Sequence, residues 1–368
     1  MAPIQAAEPV VRGPQPIDAV EPRRAVLPPQ PLEEAAPPRR ATPTPEAITL
    51  AARYEAALGA ARAAGSAYGI TFAIVRDGDL VWSGSTGRAR DGRTELQPET
   101  PLVIGSVTKT FVASVVLELA AEGRIDLSDR VRTLLPELAR VSGDVTVAQL
   151  LDHTSGLADV FNDTTRAGLE EDPAHAWTAA EVLGTLHAPW YAPGEGWAYA
   201  NTNYYLLGLI VERVTGNSLA EELDRRVLGP LDLNDTTMLD GADAAGPLAP
   251  AWSTIFWASG AMTSSAADVA RWGDALYNGG VLPATAREAM LDFNANDYGF
   301  GVQRLELGSA KGYGHTGLLN TYTTLLFHVP DRNVTIALLV NRSHVDLGGM
   351  LTAEPSDGPS LLELALGQ

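Results

Sequence analysis

The stretch from Ser106 to Ala121 constrains the fold of this 368-residue chain more than any other. In a helix, the turns after Lys109 are apolar nearly all round, with Glu118 as the polar exception, and Glu122-Gly123 closes the segment. A helix that is apolar on every side is stable only when other elements surround it. We therefore expect this helix to lie in the centre of a globular domain, where its first turn is held still.

Ser106 and Lys109 are a candidate nucleophile and its activator. A helix places them one turn apart on the same side, so that the amine can reach the hydroxyl. A serine hydroxyl is scarcely ionised near neutral pH, and a desolvated lysine with a lowered pKa can take its proton. The chain contains 24 arginines, which stay protonated, but only two lysines, Lys109 and Lys311. The alternative is a surface lysine after a helix N-terminal serine, which explains most isolated S-x-x-K matches.

Strand patterns occur at both ends of the chain, and helical patterns fill the middle. Residues 71–75 and 80–84 flank Asp77-Gly78, which between apolar runs is a strong hairpin signal. Four more strand patterns follow, at residues 300–307, 312–317, 321–329 and 334–341. We expect an α+β fold in which one antiparallel sheet, built from both chain ends, is flanked by helices and carries an inserted, mostly helical lobe.

The composition along the chain predicts one folded domain after a tail. Residues 1–45 hold 12 of the 25 prolines and show no helical or strand period, which is typical of a disordered tail. They also lack the apolar core of a signal peptide. The folded domain is predicted over residues 46–368, with a sheet lobe formed by residues 46–124 and 292–368 and a helical lobe formed by residues 125–291.

Charge and residue usage exclude several classes of function. The net charge of −19 argues against binding to nucleic acid or to anionic membrane surfaces. No apolar run approaches the roughly 18 residues that a membrane span requires. The chain has no cysteine, and its six histidines show no metal-ligand spacing, so neither a metal nor a cofactor is expected. The absence of G-x-S-x-G excludes the nucleophile elbow of α/β-hydrolases. The expected partner is a small-molecule or peptide substrate, and the oligomeric state stays open.

Two further motifs accompany Ser106-Val107-Thr108-Lys109: Tyr199-Ala200-Asn201 and His315-Thr316-Gly317. Lesser matches occur at residues 150–157 and 259–265. Together, in this order over residues of about 50 to 345, they resemble the penicillin-recognising serine hydrolases, which include class C β-lactamases, D-alanyl-D-alanine carboxypeptidases and related esterases. The resemblance implies the β-lactamase/transpeptidase-like α+β fold, hydrolysis through an acyl-enzyme and an extracytoplasmic or secreted location.

The same resemblance implies a role for each motif residue. Ser106 attacks a carbonyl, while Lys109 and Tyr199 share the proton transfer. A tyrosine acts as a base only if nearby positive charge lowers its pKa, and Lys109 with His315 is expected to supply that charge. Asn201 would bind the substrate carbonyl and Lys109. The backbone N–H groups of Ser106 and Leu318 are expected to form an oxyanion hole. Further substrate contacts are predicted for residues that line or face the cleft, namely His315, Thr316, Gly317, Gln303 and Trp257.

Other interpretations of these residues stay open. Tyr199 taken alone is more often a core aromatic residue with a satisfied hydroxyl. His153 and Ser155 form a second Ser-His combination, which the family uses for structure rather than catalysis. Trp257 either lines the cleft or merely packs.

The stretch from Tyr298 to Gly317 looks closest to a D-alanyl-D-alanine carboxypeptidase, because His315 stands where the lactamases carry lysine. Where such carboxypeptidases place an arginine for the substrate carboxylate, this chain has Gln303, and the neighbouring Arg304 points to the other face of a strand. Three hypotheses follow: a carboxypeptidase-like enzyme that β-lactams also acylate, an esterase or amidase on neutral substrates, and a silent penicillin-binding protein.

Overall fold

Two antiparallel sheets organise the computed structural model, which describes residues 45–138, 144–241 and 246–367. The strands of these residues are, in chain order, β1 (Gly69–Arg76), β2 (Asp79–Gly87), β3 (Leu102–Val103), β4 (Thr237–Met238), β5 (Met262–Ser264), β6 (Gln303–Leu307), β7 (Ala310–Leu319), β8 (Tyr322–Val329) and β9 (Val334–Val340). The larger sheet has the order β2-β1-β9-β8-β7-β6, and the smaller one has the order β3-β5-β4. The hairpin of the first two strands thus joins the last strand through β1, which pairs with β9, and this confirms the predicted sheet built from both chain ends.

The helices lie on both faces of the larger sheet and fill the middle of the chain. The described α-helices are α1 (Pro45–Ala64), α2 (Thr108–Ala121), α3 (Val131–Leu134), α4 (Val147–Leu151), α5 (Asp163–Glu171), α6 (Ala179–Gly184), α7 (Asn201–Thr215), α8 (Leu219–Leu223), α9 (Pro250–Gly260), α10 (Ala266–Asn278), α11 (Ala284–Met290), α12 (Leu347–Leu351) and α13 (Leu361–Leu366). Single 3-10 turns occur at Gly105–Val107, Pro136–Leu138 and Pro330–Arg332, and a π-helical turn, Asp224–Leu228, extends α8.

The predicted hairpin joins β1 and β2. Asp77 and Gly78 have φ values of 52° and 87°, and the flanking residues Arg76 and Asp79 pair with each other. Positive φ at both central positions is the requirement of a type I′ turn, whose twist matches that of the strands. The Asp-Gly signal therefore predicts the turn correctly.

The larger sheet is buried on both faces, because alternate side chains of its strands enter two different cores. On β9, Ile336 and Leu338 pack in one core and Ala337 and Leu339 in the other. The first core also contains side chains of α1, α12 and α13, and the second contains those of α2, α7 and α10. This is the period-2 alternation of a strand, with apolar residues on both sides. The α2 helix lies in the second core, where Phe111 stacks on Trp272 at 4.3 Å, as its all-round apolar pattern predicts.

The sequence patterns miss the smaller sheet and the helices after β9. Strand β5 pairs with both β3 and β4, and Ile104 N donates to Met262 O at 3.0 Å. This sheet therefore ties the segment before Ser106 to the segment that follows α9. Strands of two or three residues are too short to show a period, and their pairing is decided by contacts between distant parts of the chain. The predicted tail, residues 1–45, lies outside the described residues except for Pro45.

Candidate active site

Ser106 and Lys109 meet at the start of the central helix. Ser106 lies in the 3-10 turn before α2, and Lys109 lies in the first turn of the α-helix. The Lys109 Nζ is 3.1 Å from the Ser106 Oγ. The predicted contact between the amine and the hydroxyl is present.

Lys109 has two further partners, and both are fixed acceptors. Its Nζ lies 2.9 Å from Asn201 Oδ1 and 2.6 Å from the backbone oxygen of Ser259. A neutral amine donates two hydrogen bonds to these oxygens, and its lone pair then faces the Ser106 hydroxyl. Burial lowers the pKa of Lys109 to about 7, although the nearby charge of Asp159 acts to raise it. A substantial fraction of Lys109 is therefore the free base near neutral pH, oriented to accept the proton of Ser106.

The Tyr199 ring lies beside the same amine, but its pKa shifts in the opposite direction to that of Lys109. The Lys109 Nζ is 4.8 Å from the centre of the Tyr199 ring. The Tyr199 hydroxyl is buried and lacks a hydrogen bond of normal geometry within the described residues. Burial raises the pKa of Tyr199, and the nearby Ser106 hydroxyl offsets only part of that rise. The expectation of a lowered tyrosine pKa is therefore wrong, because desolvation outweighs the local charges and keeps the phenol protonated.

Asp159 is a member of the site that the sequence analysis missed. Its Oδ2 accepts from Asn201 Nδ2 at 3.2 Å, and its Oδ1 accepts from the Asn201 backbone N–H at 3.2 Å. These bonds fix the Asn201 amide so that its oxygen faces Lys109. Burial raises the pKa of Asp159, although donors from Phe161 and Asn201 favour its charged form. No local pattern marks this residue, whose role arises only from the packing of its loop against α7.

His315 belongs to a buried chain of hydrogen bonds. Asn203 Nδ2 lies 2.7 Å from His153 Nδ1, so the proton of that ring is on Nε2, which lies 3.3 Å from the Tyr298 hydroxyl. The Tyr298 hydroxyl is 2.9 Å from His315 Nε2, and His315 Nδ1 is 2.6 Å from the Thr316 oxygen. These partners fix the direction of each hydrogen bond. His153 Nε2–H donates to the Tyr298 hydroxyl, the Tyr298 hydroxyl donates to His315 Nε2, and His315 Nδ1–H donates to the Thr316 carbonyl.

His315 is therefore neutral in this chain. Burial is the largest cause that lowers the pKa of His315 to about 3, and the charge of Lys109 is the second. The hydrogen bond to Thr316 acts in the other direction, because it favours protonation. Burial likewise places the pKa of His153 well below its usual value. The expectation that His315 supplies positive charge to Tyr199 is wrong, because both ring nitrogens are committed to neutral partners in a desolvated site.

Gln303 of β6 contacts Thr316 of the neighbouring strand β7. Its Oε1 accepts from the Thr316 N–H and from the Thr316 hydroxyl, both at 3.0 Å. Gln303 pairs with Gly314 in the sheet, and Arg304 pairs with Tyr313. The Arg304 guanidinium lies 4.5 Å over the Phe293 ring and forms an exposed ion pair with Asp297. The register does not slip, so Arg304 stays on the opposite face.

The backbone around Gly317 passes close to the serine turn. A Cβ at Gly317 would lie 2.0 Å from the Ile104 oxygen and 3.3 Å from the Ser106 nitrogen. Gly105 has a φ of 52°, and a Cβ there would lie 2.9 Å from the Leu318 nitrogen. Only glycine permits this approach, which brings the N–H groups of Ser106 and Leu318 into one region.

Ser106 opens into a cavity of about 710 Å³. The predicted site residues that line it are Ser106, Tyr199, Asn201, Gln303, His315, Thr316 and Leu318. Its other wall contains Phe161, Trp252 and Phe256, whose rings pack on one another, and Arg166 lies 4.1 Å over the Phe161 ring. The sequence analysis missed this aromatic wall, because Phe161 lies in a loop that is far along the chain from Trp252 and Phe256 of α9.

Two residues singled out from the sequence lie elsewhere. Trp257 is not among the lining residues of the Ser106 cavity; it borders a separate pocket of about 240 Å³ and packs on Tyr205 of α7. The prediction that Trp257 contacts substrate is therefore wrong, because its indole packs against α7 and not against the Ser106 cavity. Ser155 is buried and donates to Asn203 Oδ1 at 2.6 Å, so its hydroxyl has a structural partner. Among the described residues, no group of three or more potential ligands could hold a metal, and no helix is long and apolar enough to cross a membrane.

The chain is similar to several known proteins. A family model described as Beta-lactamase matches residues 51–353. A D-stereospecific amidohydrolase from Streptomyces sp. is 29% identical with a TM-score of 0.70, covering 82% of this chain and 98% of that one. Penicillin-binding protein 4 of Amycolatopsis lactamdurans is 29% identical over 77% of this chain and 82% of its own length.

A D-aminopeptidase of Brucella ovis is 27% identical over 73% of this chain, but the match spans only 55% of that relative. The chain thus covers about half the length of this curated relative. The family match, by contrast, extends over most of the chain and includes every residue of the site described above. The chain belongs to the beta-lactamase family.

Proposed function

We propose that this protein hydrolyses an amide or peptide bond of a D-amino acid derivative through an acyl-enzyme on Ser106. The observation that carries the proposal is the contact of Ser106 with a lysine whose other two hydrogen-bond positions are occupied by Asn201 and Ser259. The relatives named a D-stereospecific amidohydrolase and a D-aminopeptidase support the D-configured substrate.

In the acylation step, neutral Lys109 removes the proton of Ser106 as Oγ attacks the substrate carbonyl. The N–H groups of Ser106 and Leu318 stabilise the oxyanion. Protonated Tyr199 donates its proton to the leaving nitrogen and is reprotonated by the Lys109 ammonium. The amine leaves with one added proton, and the acyl group stays on Oγ. In deacylation, water attacks the ester, and its proton passes through Tyr199 and Lys109 back to Oγ.

The charges around the cavity favour a substrate with a neutral leaving group. His315 and Gln303 are uncharged, and Arg304 faces away from the cavity. A peptide that ends in a carboxylate would bring a negative charge to this polar wall, whose own side chains, those of His315, Gln303 and Thr316, carry no positive charge. Simple amides, and activated esters that need less help in leaving, are therefore the preferred substrates.

Arg166 supports a second candidate, the D-alanyl-D-alanine carboxypeptidase activity that the motifs suggest. Arg166 lines the same cavity, and no acidic partner contacts its guanidinium within the described residues. It could take the carboxylate if the peptide extended along the aromatic wall. The candidates differ in one result: Arg166→Gln should lower activity on an acyl-D-Ala-D-Ala peptide and leave a neutral amide unaffected.

A substrate panel tests the proposed function. We expect the p-nitroanilides of D-alanine and D-phenylalanine to be cleaved faster than their L-enantiomers, with an acyl-D-Ala-D-Ala peptide slower than both D-configured anilides. Ser106→Ala serves as the matched control and should be inactive. A preference for the L-enantiomers would overturn the substrate proposal, and activity retained in Ser106→Ala would overturn the mechanism.

A further inference from the structure

The backbone of Trp257 departs from the helix in which it lies. Within α9, Trp257 has φ 28° and ψ −114°, and the helix is kinked at this residue. A positive φ in a residue with a bulky side chain is rare, because Cβ crowds the backbone. Such conformations persist only where the surroundings enforce them, and they concentrate at functional sites.

The kink sets the direction of one of the two fixed acceptors of Lys109. Ser259 follows two residues after Trp257, in a turn that the Ala261 N–H closes onto the Trp257 oxygen at 2.8 Å. The Ser259 oxygen accepts from Lys109 Nζ at 2.6 Å. Because the turn from Trp257 to Ala261 is closed, a rotation at Trp257 would move the Ser259 carbonyl with it.

The indole ring is held against α7. Its centre lies 5.2 Å from that of Tyr205, in an edge-to-face arrangement. A Cβ at Gly208 would lie 2.8 Å from indole Cζ3, so the ring rests directly on the α7 backbone at a glycine. The same helix begins at Asn201, the other acceptor of Lys109. Trp257 therefore connects the two helices that supply both acceptors.

We propose that Trp257 is a positioning residue: its indole, held on α7, maintains the strained backbone that aims the Ser259 carbonyl at Lys109. This inference rests on the proposed role of Lys109 in activating Ser106. It gives Trp257 a role at the contact between α9 and α7, outside the lining of the substrate cavity.

A comparison of Trp257→Ala with Trp257→Gly tests the backbone part of the proposal. Both variants lose the indole, but glycine adopts positive φ freely, whereas alanine favours helical angles. We expect Trp257→Ala to lower kcat/KM on a D-alanine p-nitroanilide by about 10- to 100-fold, the scale of an ångström-sized misplacement. Trp257→Gly should retain several-fold more activity than Trp257→Ala, although glycine is the poorer helix former. A purely structural role predicts the reverse order.

The pH profile of kcat/KM supplies a second readout, because its acid limb reports the free-enzyme pKa of Lys109. The titratable groups that face Lys109 are Asp159, His153, His315, Tyr199 and Tyr204. None of them is changed in these variants. Movement of the Ser259 carbonyl would change both the hydration and the hydrogen bonding of the amine, so the acid limb of Trp257→Ala should shift by at least about half a unit from that of the wild-type protein.

Trp82→Ala is the matched control, since Trp82 is another partly buried tryptophan, stacked on Tyr54 in the opposite core. It should lower the thermal midpoint and leave the acid limb in place. An unmoved acid limb in Trp257→Ala, or activity in Trp257→Ala equal to or above that of Trp257→Gly, would overturn the inference. The proposed function fails separately, if the wild-type protein itself does not acylate Ser106.

Discussion

The Lys109 amine nitrogen lies over the Tyr199 ring, 4.8 Å from the ring centre, and burial moves the pKa values of the two groups in opposite directions. Removal from water disfavours the charged form of each group, so the lysine loses its proton more easily and the phenol keeps its own. The resting site therefore contains one neutral base and one neutral acid. This pairing determines how activity should depend on pH.

The acid limb of the kcat/KM profile should have an apparent pKa near 7, the pKa of Lys109. Activity should rise with pH through this region because the free amine is the reactive form. Tyr199→Phe should lower the rate but leave the acid limb of the profile in place, since the phenol does not titrate near pH 7. Rates of p-nitroanilide hydrolysis between pH 5 and 10 would show this. Loss of the limb in Tyr199→Phe would assign it to the tyrosine instead.

Replacing Lys109 should abolish acylation whatever the charge of the substitute. Arginine keeps its proton at every accessible pH, and methionine has no proton to exchange. The acylation rates of Lys109→Arg and Lys109→Met should therefore both fall by at least about 10²-fold. Burst kinetics with an ester would measure the step directly. The matched control is Lys311→Arg, because Lys311 is exposed and paired only with Glu306 at the surface. A Lys109 variant with more than about a hundredth of wild-type rate would contradict its role as a proton carrier.

Removing the charge of Asp159 should move the acid limb to lower pH. The Asp159 carboxylate raises the pKa of Lys109, so Asp159→Asn should make the amine easier to deprotonate. The rate at the plateau should also fall, because the Asn201 amide loses a fixed acceptor. A limb that shifted upward would mean that reorientation of Asn201 outweighs the charge.

Stability should fall on the acid side as the buried histidine is protonated. Folding lowers the pKa of His315 from 6.5 to about 3, so the unfolded state binds more protons between these values. The free energy of unfolding therefore decreases as pH falls from about 6.5 to 3. Urea denaturation of His315→Gln should show a weaker decrease over this window. An identical pH dependence in both proteins would show that His315 does not carry the effect.

A β-lactam should add the mass of the intact drug to Ser106, because ring opening expels no fragment. Neutral His315 and Gln303 anchor the drug carboxylate weakly, so labelling should be slow. Peptide mapping by mass spectrometry should place the adduct on Ser106 and find none in Ser106→Ala. Ser155→Ala should label as wild type does, and an adduct on Ser155 would refute the assignment.

The sequence alone determined the features that depend on local geometry. Ser106 and Lys109 are one helical turn apart, so their contact follows from α2, and the apolar surface of α2 predicts its central place. The Asp77-Gly78 turn and the strands with a period of two residues could likewise be predicted from the sequence. Even the face of Arg304 followed from alternation along β6.

The tertiary structure decided every property that depends on distant neighbours. The pKa of Lys109 reflects burial by α7 and α9, which meet it far along the chain, and the neutrality of His315 reflects its burial near Lys109. The orienting carboxylate of Asp159 and the packing of Trp257 against α7 arise in the same way. Desolvation and long-range hydrogen bonds have no local period in a sequence, so they emerge only when the helices and the sheet are packed together.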